Sequence, residues 1–293
     1  MQNRSYLYIL AAGSLWGLIG LFVRSLNGCG FSSMEIVTLR TIFSAAAITL
    51  ICLKLGRRML RIDWRDSWMF IGTGIFSLVF FNYCYFNSIE HTSLAAAVLM
   101  LYTAPIFVML LSLWLFGEKF TPDKAVALVA AFVGCAFATD VFSSGLDISF
   151  KGLLYGLGSG FGYGLYSIFG KYAVARYSSL TITAWTFYFA VAAAVPIAGS
   201  SAAFWSKITF SSLWGIIGLS LVCAVIPYML YVRGLVDVEP GPASIIATIE
   251  VLVASLVGVI VFGEPLTTSK IIGMVLIFLS VVILNLPHRR RDL

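Results

Sequence analysis

The sequence predicts an all-α integral membrane protein: ten transmembrane helices forming two inverted five-helix repeats, residues 1–145 and 146–293, within one membrane domain. Three observations predict it. The chain is 60% hydrophobic and only 11% charged, with a mean hydropathy of +0.97. Its apolar stretches follow one another almost without interruption, and two of them, half a chain apart, end in the same tripeptide, Phe116-Gly117-Glu118 and Phe262-Gly263-Glu264. No soluble core absorbs so much apolar side chain.

A helix crossing roughly 30 Å of hydrocarbon needs about 20 residues at 1.5 Å each. Taking polar and turn residues as breaks gives spans at 5–26, 33–54, 67–89, 93–116, 123–140, 150–172, 180–199, 211–232, 242–262 and 268–286. The joining segments are too short to fold by themselves. Span one is too long for a signal sequence and lacks a small-residue cleavage site after it, so it is expected to remain as a helix.

Short loops rich in Lys and Arg stay on the cytoplasmic side, and the basic residues divide unequally. With both termini inside, Arg4, Lys54, Arg57, Arg58, Arg61, Arg65, Lys119, Lys124, Lys171, Arg176, Arg233 and Arg289–Arg291 face the cytoplasm, against Arg24, Lys151, Lys207 and Lys270 outside. Topology thus accounts for the net charge of +6. The Arg289–Arg291 tail reads as an inside anchor, not a nucleic-acid contact. The expected location is the inner or plasma membrane.

Cys29, Cys52, Cys84, Cys135 and Cys223 show no metal-site spacing and read as small apolar residues. His91 and His288 both fall near span ends, which argues against a histidine metal centre. No cofactor is expected. An intramembrane enzyme would need a nucleophile with a base or a metal cluster, and the sequence offers neither.

A shift of 146 residues lays Phe116-Gly117-Glu118 on Phe262-Gly263-Glu264, Thr121 on Thr267 and Tyr85 on Tyr231; a shift of 145 brings Trp16-Gly17 onto Phe161-Gly162. Each half holds five spans. An odd number sends the second copy through the bilayer from the opposite face, which supplies two related conformations around a site near the midplane.

With these residues the chain resembles the drug/metabolite transporter superfamily, specifically its ten-helix EamA-type members. The resemblance covers the whole chain and is carried by Ser14-Leu15-Trp16-Gly17, Leu39-Arg40, Tyr102-Thr103-Ala104-Pro105, Ile249-Glu250 and the two Phe-Gly-Glu segments. Where the family usually has Pro after the helix-nine Glu, Val251 stands here. The resemblance implies that helices one to four and six to nine enclose a central cavity while five and ten lie outside it, and it favours export of metabolites.

Ionisable groups at membrane depth are costly and mark function. Arg40 lies roughly 10 Å from the outer end of span two and Glu250 roughly 12 Å from the inner end of span nine, so both can share one cavity, or pair. Glu250 reads either as counter-charge to a substrate amine or proton carrier, or as a structural carboxylate. Arg40 reads either as a carboxylate anchor or as a tie to backbone carbonyls. If both bind substrate, opposite charges suit a zwitterion.

Span six carries Tyr155, Ser159, Tyr163 and Tyr166 on one face and Gly152, Gly156, Gly160 and Gly164 on another. The glycines read as a packing ridge, within the monomer or in a homodimer. Span three offers Tyr83, Asn87 and Glu90, flanked by Asn82 and Tyr85. Trp16, Tyr83, Asn87, Tyr102, Tyr163 and Tyr166 are therefore expected at the cavity with Arg40 and Glu250, whereas Trp68, Trp114, Trp205 and Trp214 suit the interfacial belt. Pro105 and Pro227, inside spans four and eight, are expected hinges or static kinks. Glu118 and Glu264 read as structural turn residues.

The function these features predict is secondary transport, most simply efflux of amino acids or similar amphipathic metabolites in contact with membrane lipid. Uptake of a choline-like amine, held in an aromatic box with Glu250, is the competing expectation.

Overall fold

A computed structural model of the chain describes residues 2–141, 149–198 and 202–285. His288, the Arg289–Arg291 cluster and the boundary expected between 145 and 146 lie outside them. Among the described residues there is no strand. Ten long helices follow one another within the described residues: α1 (Arg4–Gly28), α2 (Ser33–Leu55), α3 (Trp64–His91), α4 (Leu94–Phe116), α5 (Pro122–Ala138), α6 (Phe150–Val174), α7 (Ser179–Ala198), α8 (Phe210–Gly234), α9 (Pro240–Phe262) and α10 (Thr268–Asn285). Eight are long and apolar enough to span a bilayer by length and composition. The other two are α5, with 17 residues, and α6, whose 25 residues are rich in Gly and Tyr.

The duplication is written into local geometry. α4 ends on Gly117 at φ 63° and α9 on Gly263 at φ 66°, left-handed positions that glycine adopts without strain. The following N–H turns back in both copies: Glu118 donates to the Ser112 carbonyl at 3.3 Å, Glu264 to the Gly258 carbonyl at 3.1 Å. Next, the Thr121 and Thr267 hydroxyls cap α5 and α10, accepting from the N–H of Lys124 (3.4 Å) and Lys270 (3.2 Å). α3 and α8 each contain a π-helical segment, Gly72–Val79 and Leu221–Val225, whose last residues are again 146 apart.

Small residues set the close crossings. A Cβ on Gly152, Gly156, Gly160 or Gly164 would fall within 3 Å of Thr92, Met100, Thr103 or Val108, so this ridge seats α6 against α4 and the end of α3, inside the monomer. α5 and α10 pack on each other, and a Cβ on Gly273 would sit 2.4 Å from the Ala138 nitrogen. Gly273→Val should therefore lower stability by about 1–3 kcal/mol through overpacking. Because α5 and α10 contribute no residue to the central cavity described next, ligand affinity of the surviving fold should not change; a melting curve with and without ligand checks both halves of the expectation.

Candidate functional site: a central cavity

Three helices lose their regular hydrogen bonding at mid-length. α1 breaks after Trp16, α4 at Tyr102–Thr103 and α9 at Thr248. At each break the chain tightens into i→i+3 bonds, such as Thr103 N–H to Met100 (3.1 Å) and Thr248 N–H to Ile245 (3.1 Å). Pro105 does not interrupt a helix, as expected from sequence, but opens the segment after the α4 break, where its missing N–H removes nothing. Pro227 does lie inside a continuous helix, as expected, two residues after the π segment of α8 ends. α9 breaks although Val251 replaces the family's proline.

The breaks aim side chains at one place. Gly13 and Gly17 let α1 lie directly on α9, since a Cβ at Gly17 would be 2.7 Å from the Glu250 carbonyl oxygen. That contact brings Trp16 beside Glu250. Glu250 occupies the first turn after the α9 break, where free N–H groups favour a carboxylate, and it accepts a hydrogen bond from the Tyr163 hydroxyl at 3.1 Å. Trp16 meets Tyr163, Tyr228 and Tyr231 at ring separations of 6.3, 5.4 and 5.3 Å.

Above this cluster opens a cavity of about 320 Å³, reaching from Glu250 past Arg40 and Val37 to Ser33 at the start of α2. Below it lies a much smaller chamber walled by Tyr166, Ser167, Tyr228, Tyr231, Ser244 and Thr248. Trp16, Phe81, Tyr102, Tyr163 and Glu250 line both and form the partition. Arg40 and Glu250 face the same cavity, each more than nine-tenths buried. They do not pair with each other: the Arg40 Nε and Nη2 are buried without a hydrogen-bond partner.

Of the residues expected at the site, Trp16, Arg40, Tyr102, Tyr163 and Glu250 line the upper cavity and Tyr166 the lower chamber, where Pro105 also appears. Tyr83 and Asn87 do not belong to it. Tyr83 is 41% exposed on the outer face of α3, edge-on to Tyr155 at 6.4 Å, and the Asn87 amide is satisfied by the Tyr83 carbonyl at 2.8 Å. Their spacing marked a real helical face, but the neighbouring face with Phe81, Asn82, Tyr85 and Phe86 turns inward. α7, expected around the cavity, contributes no lining residue and packs behind α2, where Thr38 donates to the Ala194 carbonyl at 3.3 Å.

Tyr228 and Tyr231 escaped the sequence reading, although the repeat pointed to them. They stand 146 residues after Asn82 and Tyr85, so the two π-bulged helices present the same positions, one pair to the upper cavity and the other to the lower chamber. Sequence spacing places Tyr85 on Tyr231 without showing which way either side chain turns.

A helical membrane protein built twice over, with broken helices around a buried charged cavity, has the architecture of a carrier. The chain belongs to the EamA-like transporter family, which matches it twice, at residues 3–139 and 150–286. An uncharacterized transporter of Archaeoglobus fulgidus is 29% identical over 277 residues, 94% of each chain. The threonine/homoserine exporter RhtA of Salmonella typhimurium is 26% identical over 215 residues, 71% of this chain and 68% of RhtA. One solved structure, described as "Crystal structure of protein", covers 100% of both chains with a TM-score of 0.85 at 17% identity, a likeness of fold. The protein is thus a multi-pass membrane transporter.

Proposed function

We propose that this chain is an alternating-access carrier of the cell membrane that exports amino acids or closely related amphipathic metabolites, with both termini cytoplasmic and with no catalytic step or cofactor. The observation that carries the reading is that Arg40, whose guanidinium keeps two buried donors without a partner, lines the same cavity as the buried carboxylate of Glu250. Leaving such donors unmade is costly, and a ligand carboxylate would satisfy both at once in the planar geometry Arg favours. Glu250, already oriented by Tyr163, offers the complementary partner for an ammonium group. Trp16 and Tyr102 supply apolar wall between the two charges. The name of the RhtA relatives supports both the substrate class and the outward direction. The uneven distribution of Lys and Arg supports the orientation.

Thermal unfolding of purified protein against neutral amino acids, quaternary amines, nucleosides and sugars tests the reading. A ligand at about 100 times its dissociation constant adds about 2.7 kcal/mol. Selective stabilisation by neutral amino acids, lost in Arg40→Ala, is expected. Stabilisation by choline-like amines alone, kept in Arg40→Ala, would overturn it in favour of a cation held by Glu250 and the rings of Trp16, Tyr102 and Tyr163.

A further inference from the structure

Glu118 and Glu264 occupy matching positions in the two repeats, yet their surroundings differ. Glu118 is buried. Its carboxylate accepts from the Ser112 hydroxyl, from Lys124 Nζ at 2.8 Å and from the N–H of Gly241 at 3.2 Å. Lys124 in turn reaches Glu239 at 2.5 Å, the residue at the N-cap position of α9. Gly241 is required for the approach, because a Cβ there would lie 2.5 Å from the Glu118 carboxylate. A side chain of the first repeat is thereby clamped onto the positive N-terminus of a helix of the second. Nearby, Ser5 donates to Asp237 at 2.6 Å and Lys171 to the carbonyls of Leu235 and Val238, so this end of the bundle is closed beneath the Trp16 partition.

Glu264 shows the same local motif without the clamp. It accepts from Lys270 at 3.1 Å, and its side chain is 43% exposed. Shifting the Glu118 contact by 146 residues gives Glu264 a counterpart for Gly241 at Ala95 and for Glu239 at Ser93, on the N-terminus of α4. That end of the molecule is the one toward which the cavity runs, at Ser33.

We propose that Glu118 on the α9 N-terminus is a latch holding the closed end shut, and that Glu264 is its open twin, which docks on the α4 N-terminus at Ser93–Ala95 when the carrier turns to the other side. The inference rests on the alternating-access reading but not on the substrate. The latches are unequal: Ala95 carries a Cβ where Gly241 has none, and Ser93 offers Lys270 no carboxylate in place of Glu239. The Glu118 side therefore holds more firmly, and the resting carrier favours the conformation with the cavity open past Ser33.

The test reads conformation without a ligand. In a Cys29→Ser background, Ser33→Cys places a half-buried thiol where the cavity reaches the start of α2, and its labelling by a membrane-impermeant maleimide in vesicles of known orientation reports the open fraction. Glu118→Gln should slow labelling at least about threefold as the population shifts. Gly241→Ala, which leaves the Glu118–Lys124 pair but displaces α9, should act in the same direction. Glu264→Gln should slow it by no amount and, where the starting fraction leaves room, speed it. Circular dichroism melts identify a variant that is unfolded, in which case Gly241→Ala decides. Unchanged labelling in folded Glu118→Gln and Gly241→Ala, or slowing by Glu264→Gln, would overturn the latch. An absent amino-acid response in the melting panel would instead overturn the substrate and leave the latch standing.

Discussion

Arg40→Met is expected to raise the melting temperature of the ligand-free protein while abolishing its stabilisation by amino acids. The Nε and Nη2 donors of Arg40 are buried and unpartnered, and each unmade bond costs about 1–3 kcal/mol. Methionine keeps much of the side-chain volume and removes the penalty. An unpaired buried charge carries a desolvation cost that an apolar residue of similar volume does not. The gain should appear as a few degrees in the melting curve, because about 1 kcal/mol corresponds to about 2–4 °C for a chain of 150–250 residues and less for a longer one. The loss should appear in the same instrument as a missing ligand shift. A protein that becomes stabler as it loses its ligand has been storing unfavourable energy at a functional site. If Arg40 were a tie between helices, Arg40→Met would melt lower and still bind.

The architecture was legible because its signals are repetitive and coarse. Span length and the recurrence of Phe-Gly-Glu each depend on many residues or on chain order, and neither requires knowing where a side chain points. Bounds agreed closely: the stretch 93–116 became Leu94–Phe116 and 150–172 became Phe150–Val174. Part of the cavity lining was legible where a residue is chemically improbable in a bilayer, since Arg40 and Glu250 both line the upper cavity. Arg40 and Glu250 announced themselves by cost alone.

Faces were harder. Along α3, Tyr83 and Asn87 are polar enough to suggest a cavity, but polarity does not choose between two adjacent faces when a helix end lies near the interface and can satisfy an amide from its own carbonyls. The inward face of α3 contains Phe81 and Phe86 beside Asn82 and Tyr85, a mixed surface with no outstanding polar stripe. The π segments upstream also shift the register from which a regular 3.6-residue pattern would be projected. Helix breaks were half legible: Pro105 lies beside one, whereas the breaks at Trp16 and Thr248 carry no proline, and the one in α9 ends in a tightened turn whose Thr248 hydroxyl donates to Ile245 at 2.7 Å. The partnership of Glu118 with α9 was illegible from any local pattern, since Gly241 lies 123 residues away.

Glu250→Gln is expected to weaken amino-acid binding by about 30-fold or more, because truncating one partner of a buried, hydrogen-bonded charge pair costs about 2–5 kcal/mol. The amide keeps the shape of the side chain and can still accept from Tyr163, so the partition around Trp16 should survive and the ligand-free fold should melt no lower. Calorimetric titration gives the affinity, and counterflow in proteoliposomes gives the transport that follows from it. An unchanged dissociation constant would make Glu250 a structural carboxylate. The double variant Arg40→Met, Glu250→Gln separates two arrangements that either single change leaves mixed. If the residues hold opposite ends of one ligand, their losses should add to within about 0.5 kcal/mol. If they serve each other across the cavity in the working cycle, removing the second after the first should cost little, since the first substitution has already broken the pair. The unpartnered Arg40 donors favour addition, because nothing on the protein is waiting to be released when the ligand carboxylate arrives.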